Sequence, residues 1–345
     1  MLEKPALSDH LIAARLQQEY GLKVARVEFL PLGVDVNTAV YRIVTEGEAA
    51  YFLKLRKGPF DEIGVALPQF LKFHAVQAII APLQTSAGQL WGTLDTYRTI
   101  LYPFVQGNNG YKASLSEQQW VEFGAALRQV HTAQIPAALL RRIPLETYSP
   151  RWRDMAKNFL VQAEKTAFSD SIASKLAAFM RARRAEIRYM LERADRLGRA
   201  LASRSLQFVC CHSDIHPGNL LIAEIDRGTS AGFFIVDWDA PILAPKEHDL
   251  TLIGGCYTWK DAGQVALFYR GYFPGYDRNL PGVDRKALAY YRYERIIQDI
   301  AAFCEQLFLS TAGGEDREQA YQYFTSIFLP DHEFDLARNT EKPFD

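Results

Sequence analysis

Cysteine is scarce in this chain: Cys210, Cys211, Cys256 and Cys304 are the only four in 345 residues, two of them adjacent and none in a CxxC pair. A disulfide framework and a zinc ribbon are therefore excluded, and the pattern suits a reducing compartment. Net charge is also missing. Lysine and arginine number 39 against 40 acidic residues, a balance of −1, so no overall field draws the chain to nucleic acid or to an anionic membrane. No apolar stretch reaches bilayer-spanning length, no apolar run follows a basic start, and neither repeats nor low-complexity tracts occur. What remains is a globular composition, 48% hydrophobic and 23% charged, long enough for one bilobal unit or two domains. The expectation is a soluble, cytoplasmic protein with neither nucleic-acid nor membrane partners.

The first hundred residues read as mostly β. Apolar spacing from Leu7 to Tyr20, with Ser8 in a capping position, predicts a helix ending at Gly21. Val24 to Leu32, Ala39 to Thr45 and Ala49 to Arg56 are strand-like, the last two joined by the turn Glu46-Gly47-Glu48. Asp61 to His74 reads as a helix that Pro68 should kink or split, followed by strand candidates at Ala78 to Leu83, Gln89 to Asp95 and Tyr97 to Val105. The polar, glycine-bearing stretch Gln106 to Gly110 reads as a hinge. Helices dominate beyond it: one opened by a Ser116/Gln119 capping box, one over Trp152 to Lys165, and one over Ile172 to Leu201 whose Arg181 to Arg184 run reads as a solvated face. Short strands return at Leu206 to Cys211, Gly218 to Ala223 and Phe233 to Val236. This organisation predicts a β-rich lobe over 1–104, a hinge over 105–110 and a mainly helical lobe over 111–345.

The most informative segment is Cys211-His212-Ser213-Asp214-Ile215-His216-Pro217-Gly218-Asn219-Leu220, a run of polar side chains between two apolar strands. A second strand runs out into Val236-Asp237-Trp238-Asp239. Joined through a turn at Asp226 to Ser230, the two strands would put Asn219 and Asp237 at one end of a hairpin, an amide oxygen beside a carboxylate with Asp214 upstream. Such a hard-oxygen pocket is what Mg²⁺ prefers. A metallohydrolase competes, because His212, Asp214 and His216 alternate as zinc or iron ligands would; Pro217-Gly218 and the lack of further clustered ligands weaken it. A polar turn with ordinary capping residues explains either motif alone, but not both together in this order.

That order, Asp, then Asn five residues on, then Asp at the next strand end, is the arrangement of base and metal-binding residues in protein kinases. The segment resembles the aminoglycoside phosphotransferase and choline kinase superfamily, with His212, Asp214 and Asn219 on its H-x-D-x-x-x-x-N loop and Asp237 and Asp239 on its I/V-D-[FW]-[DE] strand end. Further stretches, Leu243 to Leu250 and Tyr290 to Ile297 among them, resemble the spectinomycin phosphotransferase branch, and the likeness runs from Leu7 to Phe328. It implies an α+β, protein-kinase-like bilobal fold with a small β-rich N-lobe and a larger, mainly helical C-lobe. The implied activity is transfer of the γ-phosphoryl of ATP to a hydroxyl of a small, cationic acceptor with Mg²⁺ as cofactor. Asp214 would be the base, Asn219 and Asp237 the Mg²⁺ ligands, His212 a loop anchor and Asp249 a structural carboxylate fixing the catalytic loop.

A kinase reading also makes demands on the N-terminal half. Lys54, flanked by Leu53 and Leu55 in the third strand, is expected on the phosphates, with Glu62, or else Asp61, as its carboxylate partner in the following helix. The phosphate loop falls between Gly33 and Asn37 and has one glycine where protein kinases have three. The main chain of Tyr102, Phe104 and Val105 would meet the adenine edge. For the acceptor, Asp239, Tyr257, Trp259, Glu294 and Asp299 are candidates, although Tyr290, Glu294 and Ile297 share one helix face and Arg295 with Asp299 forms an i,i+4 pair that helix stability alone would explain. A kinase of another small metabolite would keep every catalytic residue and change only these, and a protein that had lost catalysis would not need intact Lys54, Asp214, Asn219 and Asp237.

Overall fold

The computed structural model describes residues 4–33, 37–74, 76–224, 232–275, 282–311 and 314–341. The first part of the chain carries α1 (Asp9–Tyr20), β1 (Val24–Leu30), β2 (Thr38–Thr45), β3 (Ala50–Lys57), α2 (Ile63–Phe73), β4 (Gly92–Leu94), β5 (Tyr97–Pro103), β6 (Gly107–Asn109), α3 (Glu117–Thr132) and α4 (Ala137–Leu140). Then follow α5 (Arg151–Lys165), α6 (Ser171–Ala182), α7 (Arg184–Ala202), β7 (Val209–Cys211), β8 (Leu220–Ala223), β9 (Phe233–Ile235) and β10 (Ile242–Ala244). Four helices close the chain: α8 (Ala262–Tyr272), α9 (Arg285–Leu309), α10 (Gly314–Ser326) and α11 (Glu333–Thr340). They group into two compact units, 1–144 with 216–241, and 145–215 with 242–345.

In the first unit, β1 to β5 form an antiparallel sheet in the order β1-β2-β3-β5-β4. The turn after Thr45 closes β2 onto β3, with Glu48 in the left-handed region at φ 62°. One face of the sheet buries Tyr41, Ile43, Leu53, Leu55 and Leu101, and α1 covers it with Ile12 and Leu16. Ser8 caps α1 and Gly21 ends it at φ 68°, both as the sequence predicts. Helix α2 starts at Ile63 and continues through Pro68. Its first turn lies against the backbone of the Trp238–Asp239 segment: a Cβ on Gly64 would sit 3.1 Å from the Trp238 carbonyl oxygen. The strand expected over Ala78 to Leu83 reduces to a single bridge, Ile79 with Ile235. The capping box of α3 forms as expected.

Within the stretch expected to be a hinge, Gly107–Asn109 forms the short strand β6. β6 pairs with β8, Gly107 opposite Ala223, and β8 pairs with β9. Glycine is required in that ladder because a Cβ on Gly107 would lie 2.3 Å from the Ile222 carbonyl oxygen. This pairing ties the β8–β9 hairpin to the first unit, to which residues 216–241 belong.

The second unit is built around α9, on which α5, α6, α7, α10 and α11 pack. Its core includes Leu176, Met190, Tyr290, Tyr293, Ile297 and Ile300. The helix expected over 172–201 is two helices meeting at Arg183, which has non-helical dihedrals of φ −98° and ψ 13°. At this junction the basic run does local work: Arg181 donates to the Ala163 carbonyl at 2.7 Å and Arg183 pairs with Glu186 at 2.9 Å. Strands β7 and β10 form a separate antiparallel pair, Cys211 opposite Ile242. The four cysteines are buried and free, and burial pushes the Cys210 thiol up to about 12 and that of Cys256 to about 11. Among the described residues no helix is long and apolar enough to cross a membrane.

Candidate active site

Strand alternation on β3 does what the sequence predicts. Leu53 and Leu55 enter the core, and Lys54 lies on the opposite face. Its Nζ lies 2.9 Å from Asp237 Oδ1 and 2.8 Å from Asp239 Oδ2. Arg56, two residues along the same strand face, also binds Asp239. Burial pulls the Lys54 ammonium pKa down, but the carboxylates of Asp237 and Asp239 outweigh it and hold the pKa above the ordinary lysine value. The ammonium is therefore permanently charged.

The two aspartates reach β3 because of how β9 ends. Asp237 adopts φ 66°, a left-handed conformation uncommon for a residue with a Cβ, and such strain clusters at functional sites. Between them Trp238 turns inward, buried, with Nε1 donating to the Ile235 carbonyl at 3.0 Å. At the other strand of the hairpin, Val236 N donates to the Asn219 carbonyl at 3.0 Å, which sets Asn219 and Asp237 at the same end. The connecting turn expected at Asp226 to Ser230 lies outside the described residues. Asn219 and Asp237 thus share one end of the hairpin, an amide and a carboxylate of the kind that would suit Mg²⁺, and Asp237 already meets one cation, the Lys54 ammonium.

Several nucleotide-side expectations are corrected. Glu62 does not pair with Lys54; it lies just before α2, with its carboxylate 3.1 Å from Arg142, while Lys54 is taken by Asp237 and Asp239. Asp61 caps the helix, accepting from Ile63 N at 3.0 Å. Asp239, an acceptor candidate, is instead neutralised by Lys54 and Arg56. Gly33 has φ 92°, and the rest of the expected phosphate loop, 34–36, lies outside the described residues, up to Asn37, whose carbonyl accepts from Lys57 N at 2.8 Å. Tyr102 stands opposite Phe52 on β5, and burial pushes its phenol up. The Phe104 N–H is taken by the Ala50 carbonyl at 3.2 Å, its ring carries the Arg42 guanidinium at 5.0 Å, and Val105 beside it is half-buried.

In the second unit, Asp249 fixes the loop that carries Asp214. Its buried carboxylate accepts from His212 N at 2.7 Å and from Ser213 N at 2.8 Å. His212, also buried, accepts from Asp214 N through Nδ1 at 3.2 Å. Ser213 is held at φ 77°, a second strained residue one position before the candidate base. Both supporting roles expected of His212 and Asp249 fit this geometry. The Asp214 carboxylate itself meets Arg295, Nη1 to Oδ1 at 2.6 Å, and Arg295 Nε also lies 3.2 Å from Asp299. Burial raises the Asp299 carboxyl above its ordinary range, with Arg295 opposing.

The remaining acceptor candidates divide. Trp259 is only 3% exposed, so it packs and has no face to offer. Tyr257 is exposed, stacked on His332 at 4.2 Å with the Lys260 ammonium 4.2 Å from its centroid. Glu294 is half-buried against Arg153 at 2.5 Å, while its Oε1 is buried without a hydrogen-bond partner. Burial outweighs the guanidinium and raises the Glu294 carboxyl to about 7. A raised carboxyl adds stability that is full below about pH 4.5 and lost as pH rises to about 7. The stability difference between wild type and Glu294→Gln should therefore move against the wild type over that window and level off above it, as read from urea midpoints at several pH values. A wild type that instead gains on the variant with pH would show the carboxyl to be lowered.

Sequence reasoning had no access to three cations that the fold brings in: Arg56 on Asp239, Arg142 on Glu62 and Arg295 on Asp214. Only strand alternation could have pointed to Arg56, which shares a face with Lys54.

A strand lysine paired with an aspartate at a β-hairpin end, together with an H-x-D-x-x-x-x-N loop braced by a buried carboxylate, defines a phosphotransferase of the kinase type. The profile of the family described as "Phosphotransferase enzyme family" matches residues 28–281. The chain belongs to this family, and it is an ATP-dependent small-molecule phosphotransferase. It is similar to spectinomycin phosphotransferase APH(9)-Ia in complex with ADP and spectinomycin, at 31% identity and a TM-score of 0.88 over 98% of this chain and 99% of that one. The AMP-bound complex of APH(9)-Ia gives 30% identity and a TM-score of 0.84, covering 97% and 100%. The choline kinase LicA from Streptococcus pneumoniae shares the fold at a TM-score of 0.56 and 12% identity, covering 92% of this chain and 97% of that one. No curated protein sequence matches the chain.

Proposed function

We propose that the protein transfers the γ-phosphoryl of ATP to a hydroxyl of an aminocyclitol antibiotic of the spectinomycin type, in the cytoplasm, and so confers resistance. The observation that carries this reading is the likeness to a spectinomycin phosphotransferase at 31% identity across 98% of the chain. In this reading Lys54 holds the α- and β-phosphates, Asn219 and Asp237 hold Mg²⁺, and the backbone after β5 meets the adenine. When bound, Mg²⁺ neutralises charge on the phosphates. Asp214 orients the acceptor hydroxyl and takes its proton as the phosphoryl group leaves. Catalysis by this chain is then positioning and charge neutralisation. The acceptor is cationic, and Asp214 with Asp299 outnumber Arg295 by one charge, so its binding weakens with added salt.

Lys54 gives a test of nucleotide handling. Lys54→Ala should cost ATP a charge-assisted contact of about 1.5–3 kcal/mol and leave adenosine nearly untouched, as read by calorimetric titration of both ligands. Equal weakening of the two would indicate damage to the first unit and not loss of a phosphate contact.

The acceptor reading is tested in cells. A susceptible bacterium expressing the protein should tolerate spectinomycin and stay sensitive to kanamycin and streptomycin, while Asp214→Asn gives no protection. Unchanged spectinomycin sensitivity with full soluble expression would overturn the resistance role.

A further inference from the structure

Two different devices hold Asp214. Asp249 fixes its main chain from behind through the amides of His212 and Ser213. Its side chain is held separately, by Arg295 from the middle of α9. The neighbours of Arg295 on that helix, Ile296 and Ile297, are buried, so the guanidinium projects from an anchored segment. Its Nη1 takes Asp214 Oδ1 at 2.6 Å while its Nε spans the Asp299 carboxylate at 3.2 and 3.4 Å. One planar cation thus bridges two carboxylates, and the fork fixes both the distance and the plane of the contact.

From this geometry we infer that Arg295 is a positioning residue for phosphoryl transfer, holding Oδ1 of Asp214 and so fixing the plane of the carboxylate that meets the acceptor hydroxyl, with Asp299 as the anchor that keeps Arg295 in place. The inference rests on Asp214 being the base in the reading above. It gives Asp299 a different part from the acceptor contact expected of it: its charge is spent on Arg295. Two carboxylates and one guanidinium leave the trio one negative charge, which still suits a cationic acceptor. A base free to rotate would spend much of its time misaligned, and misplacement of a reacting group by about 1 Å costs on the order of 10²-fold in rate.

The test combines steady-state kinetics on ATP and spectinomycin with crystal structures of the full chain. For Arg295→Met, kcat should fall about 10–10²-fold with KM for ATP within about twofold of wild type, since nothing on the nucleotide side has changed. Arg295→Lys restores a cation without the fork and should recover part of the lost kcat. Asp299→Asn should show a smaller fall of the same kind. In the crystal structure of Arg295→Met, the Asp214 carboxylate should leave its wild-type position while the 212–214 main chain stays on Asp249. If Arg295→Met loses its fold, Arg295→Lys and Asp299→Asn decide by the same split between kcat and KM. Wild-type kcat in Arg295→Met, a fall shared equally with the KM for ATP and unrelieved by Lys, or an Asp214 carboxylate unmoved in the variant would each overturn the inference. A wild type that turns over ATP but leaves spectinomycin untouched would sink the acceptor reading alone, and the crystallographic comparison would still decide the role of Arg295.

Discussion

Asp214→Asn should lower kcat by about 10²–10⁴, because an amide cannot take the acceptor proton and removal of a general base costs that much. The fold should survive. The loop is held by contacts to main-chain amides, Asp249 with His212 N and Ser213 N, and none of these involves the Asp214 carboxylate. The substitution costs Arg295 one charged partner and leaves the other, Asp299 at 3.2 Å. ATP binding, which the proposed function assigns to residues of the first unit, should be unchanged. Thermal melting and ATP titration check these controls, and stopped-assay kinetics give kcat. A folded Asp214→Asn protein with near-normal turnover would remove Asp214 from its role.

Asp237→Ala should be comparably severe by a different route. It deletes the carboxylate that the proposed function sets beside Asn219 as a Mg²⁺ ligand. Changing groups that merely support a metal ligand costs about 10–100-fold in metal affinity or activity, so loss of a direct ligand should exceed that. Lys54 keeps Asp239 at 2.8 Å, so the lysine stays in place and adenosine should bind as in wild type. The expected result is lost turnover that raised Mg²⁺ partly restores, read as kcat against Mg²⁺ concentration. Full activity in Asp237→Ala, or a wild type that carries stoichiometric zinc and works after selective removal of Mg²⁺, would favour the metallohydrolase alternative.

Much of this site was legible in the sequence because its parts are local. Alternation along Tyr51 to Leu55 is enough to send Lys54 away from the core, and the antiparallel pairing of Leu220 with Ile235 is enough to set Asn219 and Asp237 at one end of the hairpin. The capping box of α3 and the Gly21 terminus are likewise properties of neighbouring residues. What the sequence hid was long-range. Arg295 and Asp299 look like a helix-stabilising pair from spacing alone, and nothing local indicates that the guanidinium also reaches a residue 81 positions away. Glu62, expected inside a helix from Asp61, lies just before one that starts at Ile63, and its carboxylate meets Arg142, a partner that local sequence does not indicate. The strand at Gly107 to Asn109 was not legible, because polar composition marks loops and short edge strands alike, and only pairing with β8 distinguishes them. Trp259 failed for lack of burial information, since an aromatic near a site reads the same whether it stacks on a ligand or fills the core.

The most direct measurement is mass spectrometry of spectinomycin after incubation with the protein, Mg²⁺ and ATP labelled with ¹⁸O in the γ-phosphoryl. The account requires a phosphate monoester of spectinomycin carrying the label, absent with Asp214→Asn, and no comparable product from kanamycin, streptomycin or choline. An unmodified spectinomycin peak beside a labelled competitor would contradict the acceptor assignment, and ATP consumed with label only in free phosphate would contradict phosphoryl transfer to a small-molecule hydroxyl altogether.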